Sequence, residues 1–212
     1  MKMNKLLLCA LAWHGLAQAA SVQPTTDGGY VLFGNYGFAT TGEHGFDGSA
    51  LFKVDRHGAV QWSLPMAGGT DYNGFDENFS FMGNAMQTPD GGYIVSFINY
   101  DTMQGHLAKT NALGTTIEWD HAYGTHGDGF HAVRPVTDGG YIAAGLTQSM
   151  GAGDFDGWLL KVDASGTLQW SLPYGTSGHE ELAGVRPTSD GGYIAIGSTK
   201  NHPMGFGAYD GW

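Results

Sequence analysis

Val185-Arg186-Pro187-Thr188-Ser189-Asp190-Gly191-Gly192-Tyr193-Ile194 is written four times in this chain. The earlier copies run from Val133 to Ile142, from Ala85 to Ile94 and from Val22 to Val31. Asp-Gly-Gly-Tyr begins at Asp27, Asp90, Asp138 and Asp190, so successive copies lie 63, 48 and 52 residues apart. A period of that length marks a chain made by stacking one supersecondary unit on the next.

Each repeat divides into two hairpins. In the last copy, Leu182 to Thr188 reads as a strand, Ser189 to Gly192 as the turn and Tyr193 to Ser198 as the return strand. Gly supplies the positive φ of a tight turn, and Asp bonds backbone N–H groups there. The second hairpin is clearest from Gly157 to Asp163, through the turn Ala164-Ser165-Gly166, and back from Thr167 to Leu172. The first repeat matches it with Leu51 to Asp55, Gly58 and Trp62, and the second with Leu107 to Asn111, Gly114 and Trp119. Two hairpins make a four-stranded unit of about 50 residues, which is a β-propeller blade. A right-handed β-helix has shorter repeats and lacks paired hairpin turns.

Composition agrees. Gly accounts for 36 of 212 residues and aromatics for 13%. Gly costs about 1 kcal/mol per interior helix position relative to Ala, so long helices are disfavoured. The predicted fold class is all-β: a β-propeller of four-stranded blades, with about three and a half blades present. The repeats are placed at 21–70, 71–124, 125–175 and 176–212, the last one partial.

Residues 1–20 read differently. Lys2 and Lys5 precede the apolar run Leu6 to Ala12, and Ala17-Gln18-Ala19 is a small-x-small cleavage pattern. This is the pattern of a secretory signal peptide, too short to span a membrane. The expected location is periplasmic or extracellular. Cys9 is the only cysteine, so the exported part would hold no disulfide. Taking Lys2 and Lys5 from nine basic residues leaves seven against 20 acids, a formal charge of −13. That excludes nucleic acid as a partner and argues against an anionic membrane surface. No second apolar span follows, so no membrane insertion is expected.

Asp-Gly-Gly-Tyr-Ile from Asp190, Asp-Gly-Trp-Leu-Leu-Lys-Val-Asp from Asp156, Gly-Thr-Leu-Gln-Trp from Gly166 and Tyr-Gly-Thr from Tyr174 carry a resemblance. Together they resemble the repeat of secreted bacterial and archaeal β-propeller proteins, over residues 21–212. The resemblance implies the fold and no particular activity. The second repeat departs from it, with Gln104-Gly105-His106 in place of Asp-Gly. The Asp-x-x-Gly-x-x-x-Trp turn also resembles the tryptophan-docking turn of quinoprotein propellers, over the second hairpins alone.

The fourth repeat stops at Asp210-Gly211-Trp212, where the third continues into Leu159-Leu160-Lys161. Three and a half blades leave the ring open and expose strand edges and apolar blade faces. The expectation is a piece of a longer propeller, or an arc that self-associates through its open edges.

Connectivity sorts the loops onto two ends of the blades. The turns within hairpins share one end, and the links between hairpins and between blades share the other. The second end collects Glu43, Asp47, Asp71, Asp76, Glu77, Asp101, Asp128, Asp154, Asp156, Glu180, Glu181 and Asp210. Against these 12 of the 20 acids stands one base, Lys200, with His44, His126, His131, His179 and His202. Variable loops on a rigid scaffold are where binding sites form.

The candidate ligand-binding residues are His126, Asp128, His131, Arg134, His179, Glu180 and Arg186. Arg134 and Arg186 share one repeat position on the inner strand. Bonding to neighbouring blades is the preferred reading of that position, and a ligand at the tunnel mouth is the other. Asp154 and Asp156 are the candidate metal ligands, and Ca²⁺ is the cation two such carboxylates would take. Asp47, Asp156 and Asp210 read as one recurring position, which favours turn residues bonding backbone over metal ligands. No nucleophile elbow or phosphate-binding Gly loop is present, and no catalytic residue is assigned. Trp62, Trp119 and Trp170 recur at one position and are expected to pack between blades.

The expected function is an exported, non-catalytic scaffold that binds a protein or polysaccharide partner on its acidic loop end. The alternative is a quinoprotein-like or glycan-active propeller enzyme. Propellers host both classes, so the fold does not decide.

Overall fold

A computed structural model describes residues 16–36, 48–66, 83–99, 102–200 and 210–211. Three antiparallel four-stranded sheets follow one another along the chain, and a fourth sheet has three strands. The first sheet holds β1 (Leu16–Pro24), β2 (Tyr30–Tyr36), β3 (Gly48–Val54) and β4 (Val60–Pro65). The second holds β5 (Gly83–Gln87), β6 (Tyr93–Asn99), β7 (Gln104–Thr110) and β8 (Ile117–Tyr123). The third holds β9 (Gly129–Pro135), β10 (Tyr141–Thr147), β11 (Asp156–Val162) and β12 (Leu168–Tyr174). The last holds β13 (His179–Pro187), β14 (Tyr193–Lys200) and the short β15 (Asp210–Gly211).

Every sheet is an up-and-down meander, and the first strands touch in sequence, β1 to β5, β5 to β9 and β9 to β13. This is the blade order of a β-propeller. The sheet strands of the described residues include no helix, and no helix among them is long and apolar enough to cross a membrane. β1 begins at Leu16, so residues 16–20, read from sequence as the end of an export signal, pair with β2. Residues 1–15 lie outside the described residues.

The core lies between blades. Ile94, Leu107 and Tyr123 of the second blade meet Phe130, Val133, Tyr141, Trp158 and Leu160 of the third. Trp158 stacks on Phe130 with ring centroids 4.6 Å apart. The recurring tryptophans pack across the same seams. Trp62 meets Tyr93 at 5.3 Å, Trp119 meets Tyr141 at 5.9 Å and Trp170 meets Tyr193 at 5.9 Å. Each Tyr is the last residue of an Asp-Gly-Gly-Tyr copy in the next blade. Trp119 Nε1 also donates to the Ala164 carbonyl in the following blade's outer turn, at 3.1 Å.

The repeated turn has a cause for each residue. Asp138 Oδ1 accepts from the Gly140 N–H at 2.8 Å, and Gly139 sits at φ 85°. That φ favours glycine. Gly140 is required for a different reason: a Cβ there would meet the Val162 carbonyl oxygen, and Lys161 Nζ at 2.7 Å.

Lys161 is 2% exposed. Its ammonium reaches Asp138 Oδ2 at 2.9 Å, the Val162 carbonyl at 3.1 Å and Gln169 Oε1 at 2.9 Å. Lys53 holds Asp27 in the same way at 2.8 Å, and Lys109 holds Asp90 at 2.9 Å. A buried ammonium with all three protons placed ties the two hairpins of a blade together. The lysine bond, then the turn bonds, hold the Asp27 and Asp138 carboxyls below their ordinary range. At Asp90, burial works upward but the Thr88, Lys109 and Gly92 bonds outweigh it, bringing the carboxyl to about 2.

Strand pairing also corrects one repeat alignment. Asp156 pairs with Thr147, Asp210 with Thr199, and Gly48 with Tyr36. Gly48, and not Asp47, holds the Asp156 position in the first blade. In the second blade it is Gln104, opposite Asn99.

Candidate functional site

The short hairpin turns share one end of the blades, and the links between hairpins and between blades share the other. The inner strands β9 and β13 start at the link end, where most of the sequence-predicted residues cluster. The structure separates them into three groups.

Asp128, Asp156 and Glu180 are buried and committed to the links themselves. Asp128 is wholly buried and accepts from the Thr125 N–H, Thr147 Oγ1, the Gln148 N–H and Ser149 Oγ at 2.6–2.8 Å. Asp156 Oδ2 accepts from the Ala152 and Gly153 N–H groups at 3.0 Å each. Glu180 accepts from the Thr176 N–H at 2.7 Å and from the Thr176 and Thr199 hydroxyls. Burial pushes the Asp128 and Glu180 carboxyls up, but these bonds prevail and both lie below their usual range. Asp128 and Glu180 each stand ten residues before the turn Asp of their own blade, a recurrence that the sequence carries. Such carboxylates shape loops and have little capacity left for a ligand.

His126 and Asp154 are exposed on the links. His126, Asp128 and His131 do not converge, and neither do Asp154 and Asp156 with a third donor. Among the described residues no three His, Cys, Asp or Glu side chains are placed to hold one metal ion. Glu43, His44, Asp47, Asp71, Asp76, Glu77, Asp101 and His202 lie outside the described residues.

The third group is not committed to the links. His131 occupies the bulge of β9, between Phe130 opposite Gly145 and Ala132 opposite Ala144. Its Nε2 is buried without a hydrogen bond and lies 3.6 Å from Glu181 Oε2 on β13. That separation is too long for a hydrogen bond. Burial lowers the His131 pKa, with the Glu181 charge opposing it. Glu181 keeps one further contact, from Ser198 Oγ to Oε1 at 3.0 Å. The adjacent acids thus part company: Glu180 turns to the link, and Glu181 to the neighbouring inner strand. The rings of His179 and Phe155 meet beside them, with centroids 5.0 Å apart.

Arg134 and Arg186 lie near the other end of the same strands, opposite Ile142 and Ile194 respectively. Arg134 Nη1 donates to Asn84 Oδ1 on β5 at 2.8 Å and to the Val133 carbonyl at 2.7 Å. This is the bond to a neighbouring blade expected for that position.

Sequence reasoning missed two features. His106 Nδ1 and Asp120 Oδ1 pair at 2.7 Å on the outer strands of the second blade. A cavity of about 600 Å³ opens between the second and third blades, lined by His121, Tyr123, Met150, Trp158 and Leu160 among others. None of the inner-strand candidates lines it.

No protein-family model matches the sequence, and no curated protein matches it. Solved structures do match in fold. The chain is similar to a GH43 β-1,3-galactosidase determined with galactodeoxynojirimycin, with a TM-score of 0.51 and 13% identity. The match covers 84% of this chain and 65% of that one, so the chain spans just under two thirds of that protein's length. It is also similar to an endo-arabinase from Bacteroides thetaiotaomicron VPI-5482, with a TM-score of 0.43 and 14% identity. That match covers 90% of this chain and 72% of the other. The fold is a β-propeller. Identities this low bear on the fold alone.

Proposed function

We propose that this propeller engages a carbohydrate at the link end of inner strands β9 and β13. The observation that carries the reading is the Glu181–His131 pair. It is the one carboxylate–imidazole pair of the inner strands among the described residues, and it is not absorbed by loop backbone. The Glu181 carboxylate is partly exposed and holds a single hydroxyl bond, so it retains acceptor sites for sugar hydroxyls. The His179 and Phe155 rings beside it offer apolar surface of the kind polar-ligand sites combine with such groups.

A protein of similar fold is a β-1,3-galactosidase, and galacto-oligosaccharides are therefore the sugars to try first. Hydrolysis would require a second free carboxylate facing Glu181. Asp128, Asp156 and Glu180 are committed to their loops, so binding is the primary reading and glycan cleavage the extension of it. Export, read from Lys2, Lys5 and the apolar run to Ala12, belongs to the same proposal.

Calorimetric titration with β-1,3-linked galacto-oligosaccharides, with reducing ends measured in parallel, tests this. Saturable binding weakened at least about tenfold by Glu181→Gln supports the site. Release of reducing ends that disappears in the same variant extends it to catalysis. Heat of binding unchanged in Glu181→Gln contradicts it.

A second reading, a scaffold for a protein partner, draws on Ile194 and Ile196, which are 63% and 65% exposed on β14. Their counterparts Ile142 and Ala144 are wholly buried against the fourth blade.

A further inference from the structure

Arg134 finds its acceptor, Asn84 Oδ1, on the blade before it. Asn84 holds a defined register position: it lies opposite Ser96, three residues after the repeat tyrosine Tyr93. The residue at that position in the third blade is Ala132, opposite Ala144, three residues after Tyr141. Arg186 is to Ala132 as Arg134 is to Asn84, and alanine offers no side-chain acceptor. Arg186 is accordingly exposed, with no hydrogen bond or ion pair among the described residues.

The two arginines also share one register position on neighbouring inner strands. β9 and β13 are in contact, and the Arg134 guanidinium is lowered from its usual range by burial and then by the Arg186 charge. No carboxylate pairs with either guanidinium among the described residues, although the chain carries 20 acids against nine bases. Two like charges at one register position of contacting strands, without a counter-charge, cost free energy. Arg134 spends Nη1 on Asn84 and Val133, and the rest of both guanidinium forks is unassigned.

We propose that Arg134 and Arg186 form an oxyanion site at the short-turn end of the inner strands, taking a carboxylate or a sulfate group. The fork geometry of guanidinium matches both by paired N–H donors. Five residues separate Glu181 from Arg186, about 16 Å of extended strand. The site is therefore distinct from the Glu181–His131 end and stands independently of the carbohydrate reading. The ligand is either a free inorganic anion or an acidic sugar that presents the same group.

The test is a titration of the full chain followed at the arginine side-chain Nε–Hε resonances by NMR. Inorganic sulfate, D-galacturonate and neutral D-galactose are the probes, at constant ionic strength. Saturable shifts at Arg186 and Arg134 with sulfate or galacturonate, absent with galactose, are expected. Arg186→Met should weaken binding at least about tenfold. Methionine is already native to that register position, as Met86 opposite Ile94 in the second blade, so the variant should fold. Arg134→Met should weaken it similarly. Galacturonate at least about tenfold tighter than sulfate assigns the site to a sugar-borne anion, and equal affinities assign it to the free anion. Both outcomes support the site. Absence of saturable shifts with either anion, or equal affinity in Arg186→Met, overturns it.

Discussion

Lys161 Nζ lies 2.9 Å from Asp138 Oδ2 and joins the inner hairpin turn of the third blade to its outer hairpin. The lysine side chain is 3% exposed and the aspartate side chain 57%. Removing the aspartate therefore strands a buried ammonium, whereas the exposed carboxylate itself contributes little. Asp138→Ala should lower stability by about 1–3 kcal/mol. Lys161→Met, which fills the same space without charge, should cost less. Urea unfolding midpoints check both. A larger loss for Lys161→Met than for Asp138→Ala would contradict the assignment of the penalty to the unpaired lysine.

The two glycines of each turn should fail differently. At Gly139 a Cβ has open space, so Gly139→Ala costs only the strain of φ 85°, about 1–2 kcal/mol. At Gly140 it would collide with the Val162 carbonyl and the lysine ammonium, and the cost should be larger. In the fourth blade the nearest atoms to such a Cβ at Gly192 are Asp190 Oδ1 and Thr188 Oγ1, both at 3.2 Å. Gly192→Ala should be the mildest of the three. Thermal melts of the three variants, ranked, are the measurement.

Acid should destabilise the protein in two separate windows. His131 has a lowered folded pKa, so below about 6.5 the unfolded chain binds its proton first. Stability is lost as pH falls below that value. Asp27, Asp90 and Asp138 have depressed folded pKa values, so their contribution holds above about 4 and drains away below it. His131→Gln should flatten the stability profile between pH 7 and 5 and leave the lower window intact. An unchanged slope between pH 7 and 5 would remove His131 as its source.

Ile194 and Ile196 present the apolar face that blade contacts cover elsewhere. Self-association through this face is expected to fall in an Ile194→Gln, Ile196→Gln double variant, read by light scattering over a concentration series. Unfolding midpoints should barely move, because both side chains already face solvent. Identical scattering for the double variant and the parent would place any association elsewhere.

Much of the fold is legible in the repeats, because Asp-Gly-Gly-Tyr leaves a tight turn almost no freedom. Four copies fix four inner hairpins, and the tryptophans fall where cross-blade partners are needed. The buried lysines are not legible as clamps, since a charged residue in a strand looks solvated when taken alone. Their signal is recurrence: Lys53, Lys109 and Lys161 occupy one register position. The site was harder. Asp128 and Glu180 read as free acids, because loop backbone donors have no sequence signature, whereas the recurrence of Asp156 points to the backbone bonds it makes with Ala152 and Gly153. The sequence pattern puts Asp47 at the Asp156 position, and only strand pairing reveals that Gly48 holds it. Arg134 and Arg186 were identified as one position, but their difference lies in Asn84 and Ala132 on other strands.

The most direct measurement is calorimetric titration of β-1,3-linked galacto-oligosaccharides into the parent chain and its Glu181→Gln variant. Saturable binding by the parent, weakened at least about tenfold by Glu181→Gln, is the predicted result. Equal binding by both, or none by the parent across a series of neutral glycans, would contradict a carbohydrate site at Glu181 and His131.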